Sequence, residues 1–406
     1  MRLLCGLASV GAFVLSSFCL AQVAPGPISA DGQYVIIGFN DLGMHCINPR
    51  FADICLLPPA NNLNAVVIRR GDDPQIVTAN LAIRYSFADN TTGIGKTDFW
   101  VYAPKLFGVN LTRGIGLAGN GLSGAMKPAI DHFEAKFLPV LPRNDDGTWN
   151  PYQVATLKLK SGGTVIAQTS VVVPVSDEMN CQKCHAAGGP GAGPLNKPTV
   201  EQNILKMHDI MYATKLMANR PVLCSSCHAD PALSAPGKAG ISSLSKAIHT
   251  KHASLAVADQ PACYDCHPGV KTQCNRSAIA AMGPVDGNGP HCEFCHGTLK
   301  VMARKLNNGR QPWAQEPTCT KCHEATYDTG TTLYRNAKGH GGVPCIVCHN
   351  SPHAWWPAMN ALDNAQPMAL QGTSSSIGKN ACNVCHTDGR TGVMPPHGAD
   401  GGDGGN

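Results

Sequence analysis

The sequence predicts a β plus short-α chain in two parts: an N-terminal antiparallel β-sandwich over 22–176, then short helices and mostly irregular backbone over 177–397. Three observations carry this expectation. Short runs with strand character crowd the first part, and turn signals separate them. The 19 cysteines are unevenly spread, with only Cys46 and Cys55 falling within 22–176. Beyond Cys181, Gly, Pro, Ala, His and Cys dominate and large apolar side chains thin out, so something other than side chains must fill a core there.

Taken in order, residues 1–21 open Met1-Arg2 and run apolar from Leu3 to Ala21, which reads as a secretory signal peptide cut after Ala21. A membrane span is the alternative, but the apolar run is short and no basic cluster follows it. A lipid anchor on Cys19 is a second alternative, and Phe18 stands where a small residue is needed. No other long apolar run occurs, so no transmembrane segment is expected in the mature chain.

Within 22–176 the strand-like runs are Tyr34–Phe39, Ala65–Arg70, Ile76–Phe87, Asp98–Tyr102, Phe133–Leu141, Gln153–Lys160 and Thr164–Pro174. Ala155-Thr156-Leu157-Lys158-Leu159-Lys160 alternates apolar and polar, the period of a half-buried strand. Ser161-Gly162-Gly163 between two runs reads as a hairpin turn. After Cys181 the helical stretches are Glu201–Asn219 and Ile241–Ala256, and the Gly/Asp-rich tail 398–406 reads as disordered.

The second part repeats one five-residue pattern seven times. The copies are Cys181-Gln182-Lys183-Cys184-His185; Cys224, Cys227 and His228; Cys263, Cys266 and His267; Cys292, Cys295 and His296; Cys319, Cys322 and His323; Cys345, Cys348 and His349; and Cys382, Cys385 and His386. Cys-x-x-Cys-His is the attachment signature of c-type haem. Two thiols bond the vinyl groups on one porphyrin edge, and the adjacent His offers its nitrogen to iron. Chance supplies about 0.03 copies in a chain of this composition. Zinc needs four ligands per site and explains no His after each second Cys; disulfides within the pairs leave that His equally unexplained.

Each iron takes a sixth ligand. Outside the motifs lie His45, His132, His208, His249, His252, His291, His340, His353 and His397. The last seven fall among the motifs, so bis-His ligation is expected from His208, His249, His252, His291, His340, His353 and His397. His291 directly precedes Cys292 and is expected to serve a neighbouring haem. Met207, Met211, Met302 and Met394 are the rival ligands. His132 reads as a surface residue. His45, in a loop after the first strand, is within reach of a haem of its own or a neighbouring subunit. Cys46 and Cys55 are expected to form a local disulfide. Cys274 is left as a free thiol, an intermolecular bridge or a haem-edge residue.

Successive motifs begin 26 to 43 residues apart. So little chain cannot insulate seven porphyrins, which must pack close together and supply the core. The formal charge of +5 is offset by about 14 haem propionates, and no basic stripe marks a nucleic-acid site.

On these motifs the chain resembles the multihaem c-type cytochromes of dissimilatory and extracellular electron transfer. The resemblance covers 181–397. Gly339-His340-Gly341-Gly342 and Ser351-Pro352-His353-Ala354 are similar to axial-ligand contexts of that family, and the β-rich part resembles the extra domain some members carry. It implies a periplasmic or cell-surface location, bis-His haems, and redox proteins or extracellular electron acceptors as partners. Some relatives polymerise into filaments in which one subunit gives a histidine to the next subunit's haem; His45 is the residue placed for that. The haem number and domain order depart from those of filament cytochromes.

The leading expectation is therefore an electron carrier, not an enzyme, with haem c and iron as cofactors and no catalytic residue. The alternative is a multihaem reductase or oxidase of a small nitrogen or sulfur compound, which needs one open iron. A third reading makes the β part a docking module, and Trp355-Trp356 is read as packing on haem, with a docking surface as its alternative.

Overall fold

In the computed structural model, residues 25–193, 197–256, 260–281, 292–321, 324–325, 328–378 and 381–391 are described. The expected leader, His291, Cys322, His323, Met394, His397 and the tail 398–406 lie outside the described residues.

The first part runs β1 (Tyr34–Phe39), β2 (His45–Cys46), β3 (Ile54–Cys55), β4 (Asn61–Arg69), β5 (Gln75–Ile76), β6 (Ala82–Phe87), α1 (Phe99–Phe107), β7 (Ser123–Ala125), β8 (Lys127–Pro128), β9 (Phe133–Leu138), β10 (Tyr152–Ser161) and β11 (Thr164–Ser176). Among the described residues these form two five-stranded sheets. One is ordered β1-β4-β9-β8 with β5 added on β4, the other β2-β11-β10-β6-β7. Pairing is antiparallel except where β2 lies parallel to the end of β11. The sandwich core takes Ile36 from β1, Leu63, Ala65 and Val67 from β4, and Leu157, Leu159, Val171 and Val173 from the facing sheet. The sheets approach closely at Gly38, where an added Cβ would sit 2.2 Å from Val171 Cγ2.

The hairpin at Ser161-Gly162-Gly163 forms as expected, with Gly162 and Gly163 both at positive φ. Two runs depart from expectation. Ile76–Phe87 is interrupted because Asn80 takes a left-handed backbone (φ 60°) between β5 and β6. Asp98–Tyr102 begins a helix rather than a strand. Phe99, Trp100, Ala103 and Leu106 are the buried residues of α1, a helical spacing visible only over the full nine residues. Gly108 closes the helix in the left-handed conformation.

The other face of the first sheet is also buried. Val35, Ile37 and Phe39 of β1 and Val66 and Ile68 of β4 pack against Ile346, Val347, Trp356, Ile377 and Val384. Alternation along β1 therefore sends one set of side chains into the sandwich and the other onto the cysteine-rich part.

That part follows as α2 (Gln182–His185), α3 (Val200–Tyr212), β12 (Val222–Leu223), α4 (Leu244–Ala253), α5 (Cys292–His296), α6 (Leu299–Asn307), α7 (Cys345–His349) and α8 (Ala365–Gln371), joined by irregular segments and short 3-10 turns. The expected helix over Glu201–Asn219 is α3 plus a separate turn at Leu216–Asn219, and that over Ile241–Ala256 is α4. Thr199 and Ser243 cap these two helices, accepting from the Gln202 and Lys246 N–H groups. β12 pairs with β3, aligning Leu223 with Cys55, so the sandwich directs the chain into the second motif.

The expected Cys46–Cys55 disulfide is not formed; both thiols are free. Their strands pair with different partners. Cys46 is aligned with Ser176 and has Cys274 as a neighbour, while Cys55 is aligned with Leu223 and has Cys224 as a neighbour. Cys274 is likewise free.

His45 is not placed to reach a haem. It is buried within the sandwich, with Nε2 3.0 Å from the Pro58 carbonyl and 3.2 Å from the Ala60 nitrogen. Burial pushes its imidazole down to about 4 from the usual 6.5. The folded chain thus refuses a proton that the unfolded chain accepts. The stability from His45 is whole above pH 6.5 and declines as pH falls from 6.5 through about 4, a loss of up to about 3 kcal/mol. His45→Gln removes the proton acceptor. Urea midpoints measured across this range should fall less steeply with acid in the variant; equal slopes would contradict the assignment.

Candidate functional site

The seven motifs share a local geometry wherever their residues are described. Each starts a helical turn, so positions i, i+3 and i+4 fall on one face. In the first motif the Cys184 and His185 N–H groups both point to the Cys181 carbonyl, at 3.2 and 2.8 Å. The same pair of bonds recurs at Cys224, Cys263 and Cys382. One turn thus brings two thiols and an imidazole to the same side, as attachment at a porphyrin edge with iron ligation requires.

Five motif histidines each face a second histidine. Ring-centre distances are 6.2 Å for His185 with His252, 6.3 Å for His228 with His208, and 6.2 Å for His267 with His249. They are 6.1 Å for His296 with His353 and 5.9 Å for His386 with His340. Two metal–nitrogen bonds of about 2 Å, with each ring centre about 1 Å behind its nitrogen, set coordinating imidazoles on opposite sides of one iron about 6 Å apart. The residues therefore fit a six-coordinate haem. Among the described residues no three His, Cys, Asp or Glu side chains cluster as a bare metal ion requires. The donors come as opposed pairs, as two ligands to a porphyrin-held iron would.

Hydrogen bonds at Nδ1 orient several of these rings and leave Nε2 for a metal. His185 Nδ1 is 2.8 Å from the Gly191 carbonyl, and His228 Nδ1 is 2.8 Å from that of Ser242. On α4, His249 and His252 bond back to the Ser245 and Ile248 carbonyls, both at 2.8 Å. His349 uses the Ser376 hydroxyl at 2.9 Å, and His386 the Asp72 carbonyl at 3.2 Å. Burial lowers the basicity of His185, His249, His267, His340 and His353, the last to about 4, so these rings are held neutral as ligation needs.

The sandwich supports this arrangement directly. Beyond β4, Gly71 and Asp72 run beside Cys385–Thr387, with Gly71 N–H donating to the Cys385 carbonyl at 3.2 Å. The β1–β2 loop presses on the His353 loop: Gly43 has φ +72°, and a Cβ there would lie 1.8 Å from the Pro352 carbonyl oxygen. His353 is itself left-handed (φ 67°), and its carbonyl accepts from the Arg276 and Ser277 N–H groups at 2.5 and 3.0 Å.

Neighbouring motifs lie against one another. Lys183 pairs with Asp265, and Asn180 Nδ2 donates to the Tyr264 carbonyl at 3.0 Å, joining the first and third motifs. Asn203 of α3 donates to the His185 carbonyl at 2.9 Å. The Ile377 N–H, in the segment leading to the seventh motif, donates to the Cys348 carbonyl at 2.8 Å.

Residues 306–387 match the family model of cytochrome c7 and related cytochrome c. The match takes in the fifth, sixth and seventh motifs. A comparison with solved structures finds the crystal structure of MtrC from Shewanella baltica OS185, at 14% identity and a TM-score of 0.16, covering 68% of this chain and 45% of that one. The chain thus spans less than half of that protein. No curated protein sequence matches. No helix among the described residues is long and apolar enough to cross a membrane.

Other residues singled out from the sequence take plainer places. Trp356 is buried and donates to the Asp363 carbonyl at 2.6 Å, so it is core rather than docking surface. His132 bonds Asp131 at 2.8 Å. Met302 Sδ accepts from Arg310 at 3.5 Å, and Met207 packs against Gly193. Sequence reasoning missed Arg276, which is buried in an ion pair with Asp363. A lone arginine in a Cys-rich stretch carries no local signal of burial.

Proposed function

We propose that the chain is an electron carrier with seven covalent haems, exported to the periplasm or cell exterior, in which closely spaced low-spin irons pass electrons to redox proteins or extracellular acceptors. The observation that carries this reading is the set of five opposed histidine pairs 5.9–6.3 Å apart. Haem supplies the one-electron chemistry. The paired histidines would hold the iron from both sides, which would keep small molecules off it and favour outer-sphere transfer over substrate binding. His185, His228, His267, His296, His323, His349 and His386 are the proximal ligands in this reading. His208, His249, His252, His340 and His353 are distal ligands, with His291 and His397 proposed for the remaining irons.

Contacts between motifs support a continuous path. The thiols of the first and third motifs lie near each other, as do Cys263 with Cys292, Cys295 with Cys319, Cys319 with Cys345, and Cys348 with Cys385. The second motif attaches to the first through α3, which contacts His185 and carries His208. The order read from these contacts is second, first, third, fourth, fifth, sixth, seventh. Export is read from the apolar, leader-like run at 1–21.

Haem quantification with electron paramagnetic resonance of the oxidised protein tests the proposal. Seven haems per chain, all low-spin and unreactive to carbon monoxide when reduced, are expected. A high-spin component worth one haem in the native protein would overturn the carrier reading and favour a reductase of a small nitrogen or sulfur compound.

A further inference from the structure

His208 differs from His249 and His252 in what its Nδ1 meets. His249 and His252 bond neutral carbonyls of their own helix. His208 Nδ1 lies 2.9 Å from the Thr214 hydroxyl oxygen, and that hydroxyl donates to Asp209 Oδ1 at 2.7 Å. Asp209 also accepts the Leu216 N–H at 2.6 Å and the Met217 N–H at 3.0 Å, donors that favour the ionised carboxylate. A hydroxyl has one proton. With that proton given to Asp209, its oxygen can only accept, so His208 must carry the hydrogen on Nδ1 and present Nε2 toward His228.

The backbone is bent to make this contact. α3 stops at Tyr212, and Ala213 takes the left-handed conformation (φ 51°, ψ 36°). Glycine is usual at such a position, because a Cβ is strained there. The turn carries Thr214 back over His208 and Asp209.

We infer that Thr214 and Asp209 are positioning residues that, through a His208–hydroxyl–carboxylate relay, make the distal ligand of the second motif's haem electron-rich and so lower that haem's reduction potential. The inference rests on the reading of His208 as an iron ligand. A carboxylate pulling on the Nδ1 proton increases the basicity of Nε2, and a more basic axial ligand favours Fe(III) over Fe(II). Because the second motif lies at one end of the proposed path, this places a low-potential haem at a terminus.

The test is a spectroelectrochemical titration of the haem-loaded full chain, with the low-spin haem count taken on the same samples. Thr214→Val removes the hydroxyl but spares both backbone bonds to Asp209, so the turn keeps its cap. One haem is expected to shift to a more positive midpoint in Thr214→Val while the others stay in place, and Thr214→Ser is expected to restore the native value. Unchanged midpoints in Thr214→Val, or an equal shift in Thr214→Ser, would overturn the relay. His208→Ala separates the two readings: loss of one low-spin haem is expected, and an unchanged count would remove His208 as a ligand and the relay with it.

Discussion

His353→Ala is expected to convert one haem to a five-coordinate, high-spin state that binds carbon monoxide, leaving the rest low-spin. His353 is half-buried and faces His296 at 6.1 Å, and the nearby His267 is itself opposed to His249. The effect should be read as one haem equivalent of high-spin signal and one equivalent of carbon monoxide bound on reduction. Two further samples separate ligand loss from general disruption. Added imidazole should enter the space left by the ring and restore the low-spin signal. His353→Met should keep the haem low-spin while raising its midpoint, because a thioether stabilises Fe(II) relative to an imidazole. A fully low-spin spectrum in His353→Ala without imidazole would mean that the pairing of His353 with His296 does not describe the loaded protein.

Arg276→Met should cost about 3–5 kcal/mol of stability, the range for leaving one half of a buried ion pair uncompensated. The side chains of Arg276 and Asp363 are 1% and 2% exposed, and they meet through two bonds, Nε to Oδ2 at 2.7 Å and Nη2 to Oδ1 at 3.1 Å. Nη1 reaches the Gly43 carbonyl at 2.8 Å and the Cys274 carbonyl at 3.4 Å, and the guanidinium lies 5.4 Å from the Tyr152 ring centre. One side chain therefore ties the β1–β2 loop and β10 to the segment before α8, and its backbone N–H holds the His353 carbonyl. Urea unfolding of the holoprotein reads the loss. Arg276→Met with Asp363→Leu should recover most of it, since replacing both charges removes the desolvation penalty along with the attraction. A single variant within about 1 kcal/mol of wild type would place the pair in the class of solvated bridges.

Both predictions concern residues whose partners are far away in the chain, and this marks the limit of what was legible beforehand. β1, β10, β11 and their hairpin could be read from the sequence because alternation and turn residues are local properties. The helix α1 could not, since its first five residues alone carry no period. Cys46 and Cys55 are close in sequence, and closeness suggested a bond, but strand pairing sends each to a different partner. His45 looked available from its loop position; burial against Pro58 and Ala60 removes it. The filament role that depended on it loses its named donor.

The sequence by itself determined the attachment chemistry. Two cysteines and a histidine within five residues fall on one face of a single helical turn, so every motif can be read without knowing the fold. Only the tertiary structure decided which histidine stands opposite which motif. On α4, His252 reaches back past the second motif to face His185, while His249, one turn earlier, faces His267 just ahead. His353 faces His296 across two intervening motifs. These pairings depend on how long loops close over the sandwich, and loop closure is governed by distant packing such as Arg276 with Asp363 and Gly43 with Pro352, which leaves no trace in local residue spacing.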